Sequence, residues 1–260
     1  MTWITQRRWT TVAVVTALLL VMLATAGLAG ADVAPGNVAY DGRVVFVRLK
    51  YEMPRGLQTG FFQQDIKWAH DYPRAERNLT KILGEISLLE VFQGPNGGNV
   101  LALDDPELHK FPFAYMSEPG FWLPTEQEVM GLREYLLKGG FVIFDDFAEL
   151  RGGWARFESA FRRVLPGARF YDLDASHQIF HSFFEIDSLD ILPQYYDLGR
   201  PVLRAVFEDN DPRKRMMAVI NYNTDISEYW EFSRAGWRPI HETNEAYKLG
   251  VNYIMYGMTH

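Results

Sequence analysis

The stretch from Thr125 to Asp146 constrains this chain more than any other. Thr125 can cap a helix and Glu128, three residues later, completes a capping box. Val129, Leu132, Tyr135 and Leu136 then fall at helical spacing. Gly139-Gly140 stop the helix, and Phe141 to Phe144 (FVIF) reads as a central strand ending in Asp145-Asp146. A capped helix, a glycine stop and an apolar strand in succession are the signature of parallel α/β architecture.

The flanking segments extend that pattern. Arg43 to Tyr51 (RVVFVRLKY) alternates β-branched and polar residues, as a strand does, and a long polar-aromatic loop follows it. Pro73 opens a helix that runs to about Leu83. Ser87 to Phe92 reads as a strand, Gly94 to Asn99 (GPNGGN) as a turn, and Phe113 to Ser117 as a buried strand. Trp154 to Val164 is an amphipathic helix stopped by Pro166-Gly167, and Ala168 to Leu173 returns as a strand. Val202 to Phe207 and Arg215 to Tyr222 flank a polar turn and read as an antiparallel hairpin, and a helix over Glu242 to Tyr256 ends the chain. The expected fold is α/β, with a mostly parallel central sheet, helices on both faces and an added antiparallel hairpin. With no internal repeat, residues 42–260 form one domain.

The first 31 residues differ from the rest. Arg7 and Arg8 precede an uncharged run from Trp9 to Ala31, and Ala29-Gly30-Ala31 offers a small-x-small site ahead of Asp32. That is the layout of a secretory signal peptide; the competing reading is an uncleaved anchor, since the run is about the ~20 residues a bilayer requires. Either places the domain outside the cytoplasm, and 32–41 reads as a linker. The chain has no cysteine, which excludes disulfides, thiolate metal sites and a cysteine nucleophile. Its net charge of −7, without a basic block, argues against a nucleic-acid partner.

Polar residues gather where a parallel sheet binds ligands, outside the carboxyl ends of its strands. Asp145 and Asp146 follow FVIF; Asn221, Asn223 and Asp225 end the strand MMAVI; Asp65, Trp68 and Asp71 lie in the loop after the first strand. Neighbours in an extended segment point to opposite faces, so one of Asp145 and Asp146 is expected in a cleft and the other in hydrogen bonds to the next turn. His177 and His181 have i,i+4 spacing but lack the glutamate of HExxH, so each reads first as a structural histidine. There is no G-x-S-x-G, G-x-G-x-x-G or GxxxxGK[ST], which leaves a Ser117–His177 pair without motif support and assigns no nucleotide. Trp68, Phe121, Trp122, Trp230 and Trp237 could form a binding platform, but the simpler expectation is that most pack loops onto the domain.

From about Gly42 to the C-terminus the chain resembles the bacterial family DUF4159, of unknown function. The resemblance rests on RVVFVRLKY, DYPRAERNL, FPFAYMS, LREYLLKGGFVIFDDF, RRVLPG, the D-x-x-H-x-I-F segment from Asp174 to Phe180, NYNTDI and LGVNYIMYGMTH. It implies a flavodoxin-like fold similar to class I glutamine amidotransferases. Those enzymes use a cysteine at a strand-to-helix elbow; here FVIF runs into Asp145-Asp146 and glutaminase activity is excluded. The family's members are often exported or membrane-associated, which implies a role in an envelope assembly.

The expected function is therefore an exported, non-catalytic ligand- or partner-binding module. Its expected site comprises Asp65, Trp68, Asp145, Asp146, His177, Asn223 and Asp225, with no catalytic residue and no cofactor assigned and metal content left open. The alternative is a metal-assisted hydrolase that uses the strand-end carboxylates and His177. Expected partners are other envelope proteins, in the periplasm or on a membrane facing it, with membrane contact only through an uncleaved N-terminal segment.

Overall fold

The computed structural model describes residues 36–53, 65–150, 152–190 and 199–260; the leader read over 1–31 lies outside them. Seven strands form one sheet: β1 (Phe46–Lys50), β2 (Gly98–Ala102), β3 (Phe113–Ser117), β4 (Phe141–Phe147), β5 (Tyr171–Asp172), β6 (Val202–Phe207) and β7 (Met216–Tyr222). Their order is β2-β1-β3-β4-β7-β6-β5. The first five in that order are parallel; β6 is reversed and forms the expected antiparallel hairpin with β7, and β5 pairs antiparallel with β6 at the edge. Counting only the parallel strands in chain order gives 2-1-3-4-5, the flavodoxin-like doubly wound arrangement.

Period-two alternation distributes the strand side chains between two cores. Val44, Phe46, Phe113, Tyr115, Phe141 and Ile143 pack against α1 (Arg74–Ile86), α4 (Ile226–Glu231) and α5 (Ile240–Thr259). Val45, Val47, Leu49, Ala114, Met116, Val142 and Phe144 pack against α2 (Glu126–Leu137) and α3 (Gly153–Val164). Thr125 and Glu128 form the capping box reciprocally, at 3.1 and 2.9 Å. Trp122 and Trp230 are buried, with their indole N–H groups donating to Glu128 Oε2 and the Ala246 carbonyl, whereas Trp237 is exposed. Among the described residues no helix is long and apolar enough to cross a membrane.

Two segments differ from their sequence reading. Ser87 to Phe92 forms no strand beyond a single bridge between Val91 and Val44; the second strand is Gly98–Ala102, starting inside the stretch read as a turn. Gly98 is the reason, because a Cβ there would lie 2.0 Å from the carbonyl oxygen of Phe46. Only a residue without a side chain lets the two backbones approach. Asn37 and Asn99 side chains then pair with the backbones of Val100 and Val38, covering the outer edge of β2 with residues read as linker. The strand read over Ala168 to Leu173 contracts to the two residues of β5.

One strand position breaks the apolar alternation. Arg48 lies on the same face as Phe46, fully buried, and its Nε donates to Glu76 of α1. Its Nη1 donates to the carbonyls of Trp68 and His70 at 3.0 and 2.9 Å, tying the loop before α1 to the sheet. Removing one partner of a buried ion pair strands the other charge, whereas replacing both restores packing. Arg48→Met is expected to lower unfolding stability by about 3–5 kcal/mol. Adding Glu76→Leu should recover most of that loss, as read by urea denaturation.

Candidate functional site

The carboxyl edge of β3, β4 and β7 carries a buried cluster of acids. Asp145, the last regular residue of β4, is saturated with donors. Its Oδ1 accepts from Asn221 Nδ2 at 3.0 Å; its Oδ2 accepts from the Tyr115 hydroxyl at 2.7 Å and from the backbone N–H groups of Ile226 and Ser227 at 3.1 and 3.3 Å. Asn221 in turn accepts from the Tyr253 hydroxyl of α5 at 3.0 Å. Asp145 therefore joins β3, β7, α4 and, through Asn221, α5. That is a structural role.

Asp146 is built differently. The β4–β7 register shifts between Phe144 and Phe147, and Asp146 sits in that irregularity at φ 59°. The left-handed backbone turns its side chain towards Ser117, whose hydroxyl donates to Oδ2 at 3.3 Å. Ser117 and Tyr115 are two apart on β3 and share a face, so the bulge brings both carboxylates to one side of the sheet where simple alternation would separate them. Asp146 Oδ1 is buried without a hydrogen-bond donor, as is Oδ2 of Asp225. Asp225 caps α4: its Oδ1 accepts from the Glu228 N–H at 2.9 Å and from the Ser227 hydroxyl at 3.1 Å.

The loop after β1 completes the edge. Ligand atoms of Asp71, Asp146 and Asp225 all lie within 4.8 Å of one another, as do those of His70, Glu118 and Asp146, and those of Asp71, Glu228 and Glu231. Asp65 stands at the rim, bonded to Lys67 Nζ and His70 Nε2 at 2.6 Å each. Lys67 Nζ and His70 Nδ1 both lie 3.4 Å from Glu118 Oε2. Trp68 lies alongside rather than within the cluster. It lines a cleft of about 560 Å³ with Tyr51, Met53, Asp104 and Glu128. Tyr51 links the two, since its hydroxyl donates to the carbonyls of Ser117 and Glu118 at 3.0 and 2.7 Å.

Of the residues expected in the site, His177 is elsewhere and Asn223 is engaged by the fold. His177 packs against Phe207 and Tyr256, and Tyr256 meets the N–H of Met216 at the amino end of β7, so His177 occupies the opposite edge of the sheet. There its Nδ1 accepts from the Ile179 N–H and caps a 3-10 turn, Gln178–His181. The 3-10 geometry also separates His177 from His181, which is held by Glu185 and the Ala175 carbonyl. Neither the Ser117–His177 pair nor the carboxylate–His177 pair of a hydrolase forms. Asn223 lies at the correct edge with φ 62°, but its Nδ2 donates to the Arg200 carbonyl and holds the segment before β6. The sequence reading omitted His70, Glu118, Glu228 and Glu231. Glu118 directly follows a parallel strand, the same signal that singled out Asp145.

Burial and mutual repulsion govern the electrostatics. Burial pushes the Asp145 carboxyl up to about 6 despite its hydrogen bonds from Tyr115 and Asn221. Burial, then the nearby Asp225 and Glu118, push Asp146 well above the usual carboxylate range; burial, then Asp71 and Asp145, do the same to Asp225. Glu231 is raised to about 7 by burial and by Asp71. At the rim burial raises Asp65, but the hydrogen bonds from Lys67 and His70 outweigh it and hold its carboxyl low. Four of the six non-glycine residues with positive φ among the described residues are Asp71, Glu118, Asp146 and Asn223, all at this edge. Backbone strain of that kind concentrates at binding and switch sites.

The chain belongs to the family DUF4159, a domain of unknown function, whose model matches residues 45–258. No curated protein matches the chain.

Asp145, Asp146, Asp225 and Glu231 hold protons to higher pH folded than unfolded. The stability this uptake supplies is complete below the unfolded carboxyl pKa of about 4 and is lost as pH rises through 6 and beyond. Acids held low, such as Asp65 and Asp211, act oppositely and lose their contribution as pH falls. In metal-free buffer the unfolding free energy read by urea denaturation should peak near pH ~5 and decline towards pH ~8, a loss on the order of 2–3 kcal/mol. An unfolding free energy that climbs steadily to pH ~8 would show that the cluster carries no such strain.

Proposed function

We propose that this chain is an exported, non-catalytic binding module whose ligand seats at the carboxyl edge of the sheet, against Asp146 and Asp225. The half-buried Asp71 and His70 stand beside them. The observation that carries this reading is the pair of buried oxygens, Asp146 Oδ1 and Asp225 Oδ2, that no donor among the described residues satisfies. A buried acceptor without a partner costs about 1–3 kcal/mol, and more when charged. The fold supplies Asp145 with four donors and leaves its neighbour open, so the open oxygens serve something other than the fold. The hydrolase reading has no comparable support, because His177 stands at the far edge.

Support for export is the basic start, the uncharged run from Trp9 to Ala31 and the small residues that end it. Residues 1–41 fused to a phosphatase active only outside the cytoplasm should yield enzyme activity, and a silent fusion would remove export from the reading.

The seat itself is tested by stability. Asp146→Asn and Asp225→Asn keep the shape and one acceptor oxygen for the existing hydrogen bond while removing like charge. Each should stabilise the chelator-treated protein by about 0.5–2 kcal/mol at pH ~8, the gain usual when a functional compromise is released. Destabilisation by both would mean that these carboxylates hold the fold together, and the binding reading would fall.

A further inference from the structure

Of the three acid groupings at this edge, two already have cations. Glu118 has Lys67 Nζ at 3.4 Å; Glu231 has Arg74 Nη1 at 3.3 Å and Glu228 has Arg238 Nη2 at 3.4 Å. The third, Asp71 with Asp146 and Asp225, is the exception. Among the described residues no lysine, arginine or histidine forms an ion pair with any of the three.

Each member of that triad accepts a hydrogen bond at one oxygen, and Asp71 also lies in hydrogen-bond reach of the Glu231 carboxyl. Ser227 donates to Asp71 Oδ2 at 2.5 Å, Ser117 donates to Asp146 Oδ2, and the Glu228 N–H holds Asp225 Oδ1. The remaining oxygens of Asp146 and Asp225 are buried and without donors. Hydroxyl and backbone donors behind a carboxylate orient it as outer groups orient metal ligands. Ligands held at about 2.4 Å from one ion lie no more than about 4.8 Å apart. The triad's ligand atoms meet that limit, all lying within 4.8 Å of one another. All three donors are carboxylate oxygens, the choice of a hard cation rather than a soft one.

We propose that Asp71, Asp146 and Asp225 form the seat of one hard divalent cation of the Ca²⁺/Mg²⁺ class, which rests on the binding reading above and names its ligand. Two members come from strand ends and their caps, and the third from the loop that Arg48 ties to the sheet. A bound ion would therefore join that loop to β4 and α4.

The test uses full-length protein stripped with chelator and titrated with CaCl₂ or MgCl₂. Calorimetry should count one ion per chain. At a hundredfold excess over Kd, the unfolding midpoint should rise by about 5–10 °C. Asp146→Asn and Asp225→Asn should each abolish both signals, while Asp172→Asn, an exposed acid on β5, should retain them. Failure of the wild type to bind either ion, or undiminished binding in both site variants, overturns the proposal. If the site variants are stabilised in chelator but the wild type binds neither ion, the cation fails alone and the seat stands. Destabilised variants together with an ion-free wild type remove both.

Discussion

Arg48 is the charge around which the carboxyl edge is assembled. A guanidinium on the helix-facing side of β1 must find partners inside the protein, and it places Nε on Glu76 of α1 and Nη1 on two carbonyls of the loop before α1, while Nη2 meets no acceptor among the described residues. Those carbonyls belong to Trp68 and His70, so the contact that neutralises a core charge also fixes where His70 and Asp71 stand. Ile66 and Trp68 pack the same loop against the core, and Lys67 reaches Phe121 and Glu118, so the arginine acts together with these contacts in placing it.

Against that fixed loop, the two adjacent aspartates of β4 take opposite roles. Asp145 stays in the strand and receives donors from β3, β7 and α4. Asp146, one residue later, adopts a left-handed conformation at a bulge and keeps one oxygen free. A non-glycine residue in that region costs on the order of 1 kcal/mol, which the fold tolerates only where the surroundings enforce it. The enforcing contacts here are the Asn223 N–H to the Phe147 carbonyl and the Glu118 N–H to the Asp145 carbonyl, on either side of the turn. Strain, desolvation and like-charge repulsion thus fall on one side chain. Its neighbour carries the stabilising bonds.

Much of the architecture was legible because its signals are local. The capped helix, the glycine stop, FVIF and the hairpin each depend on a few consecutive residues, and the carboxyl-edge rule then points to Asp145, Asp146 and Asp225. What escaped depends on distant partners. Gly98 reads as a turn residue until Phe46 is seen against it, and Ser87 to Phe92 has strand composition without a full pairing edge. His177 looked like a ligand because it follows a strand-like segment. However, β5, antiparallel to β6, ends towards the carboxyl edge, and the chain then turns back along the sheet, which carries His177 to Phe207 at the amino edge of β7. Alternation separated Asp145 from Asp146, and only the bulge reunites them. The acids of α4 were invisible because six residues give no helical period to read.

The topology explains why the cluster and the Trp68 cleft are neighbours yet chemically distinct. In the order 2-1-3-4-5, the crevice opens where successive connections leave β1 and β3 towards opposite sides. The cleft lined by Tyr51, Met53 and Trp68 follows β1, while the acids extend from β3 across β4 to β7. Tyr51 spans the boundary, with its ring in the cleft and its hydroxyl on the carbonyls of Ser117 and Glu118. A mixed polar and aromatic cavity thus adjoins a dense negative charge. A ligand in the cleft and a cation among the acids would meet across Tyr51 and Glu118. Both sides hang from the same loop, through Trp68 on one and Asp71 on the other, and Arg48 holds that loop at the carbonyls of Trp68 and His70.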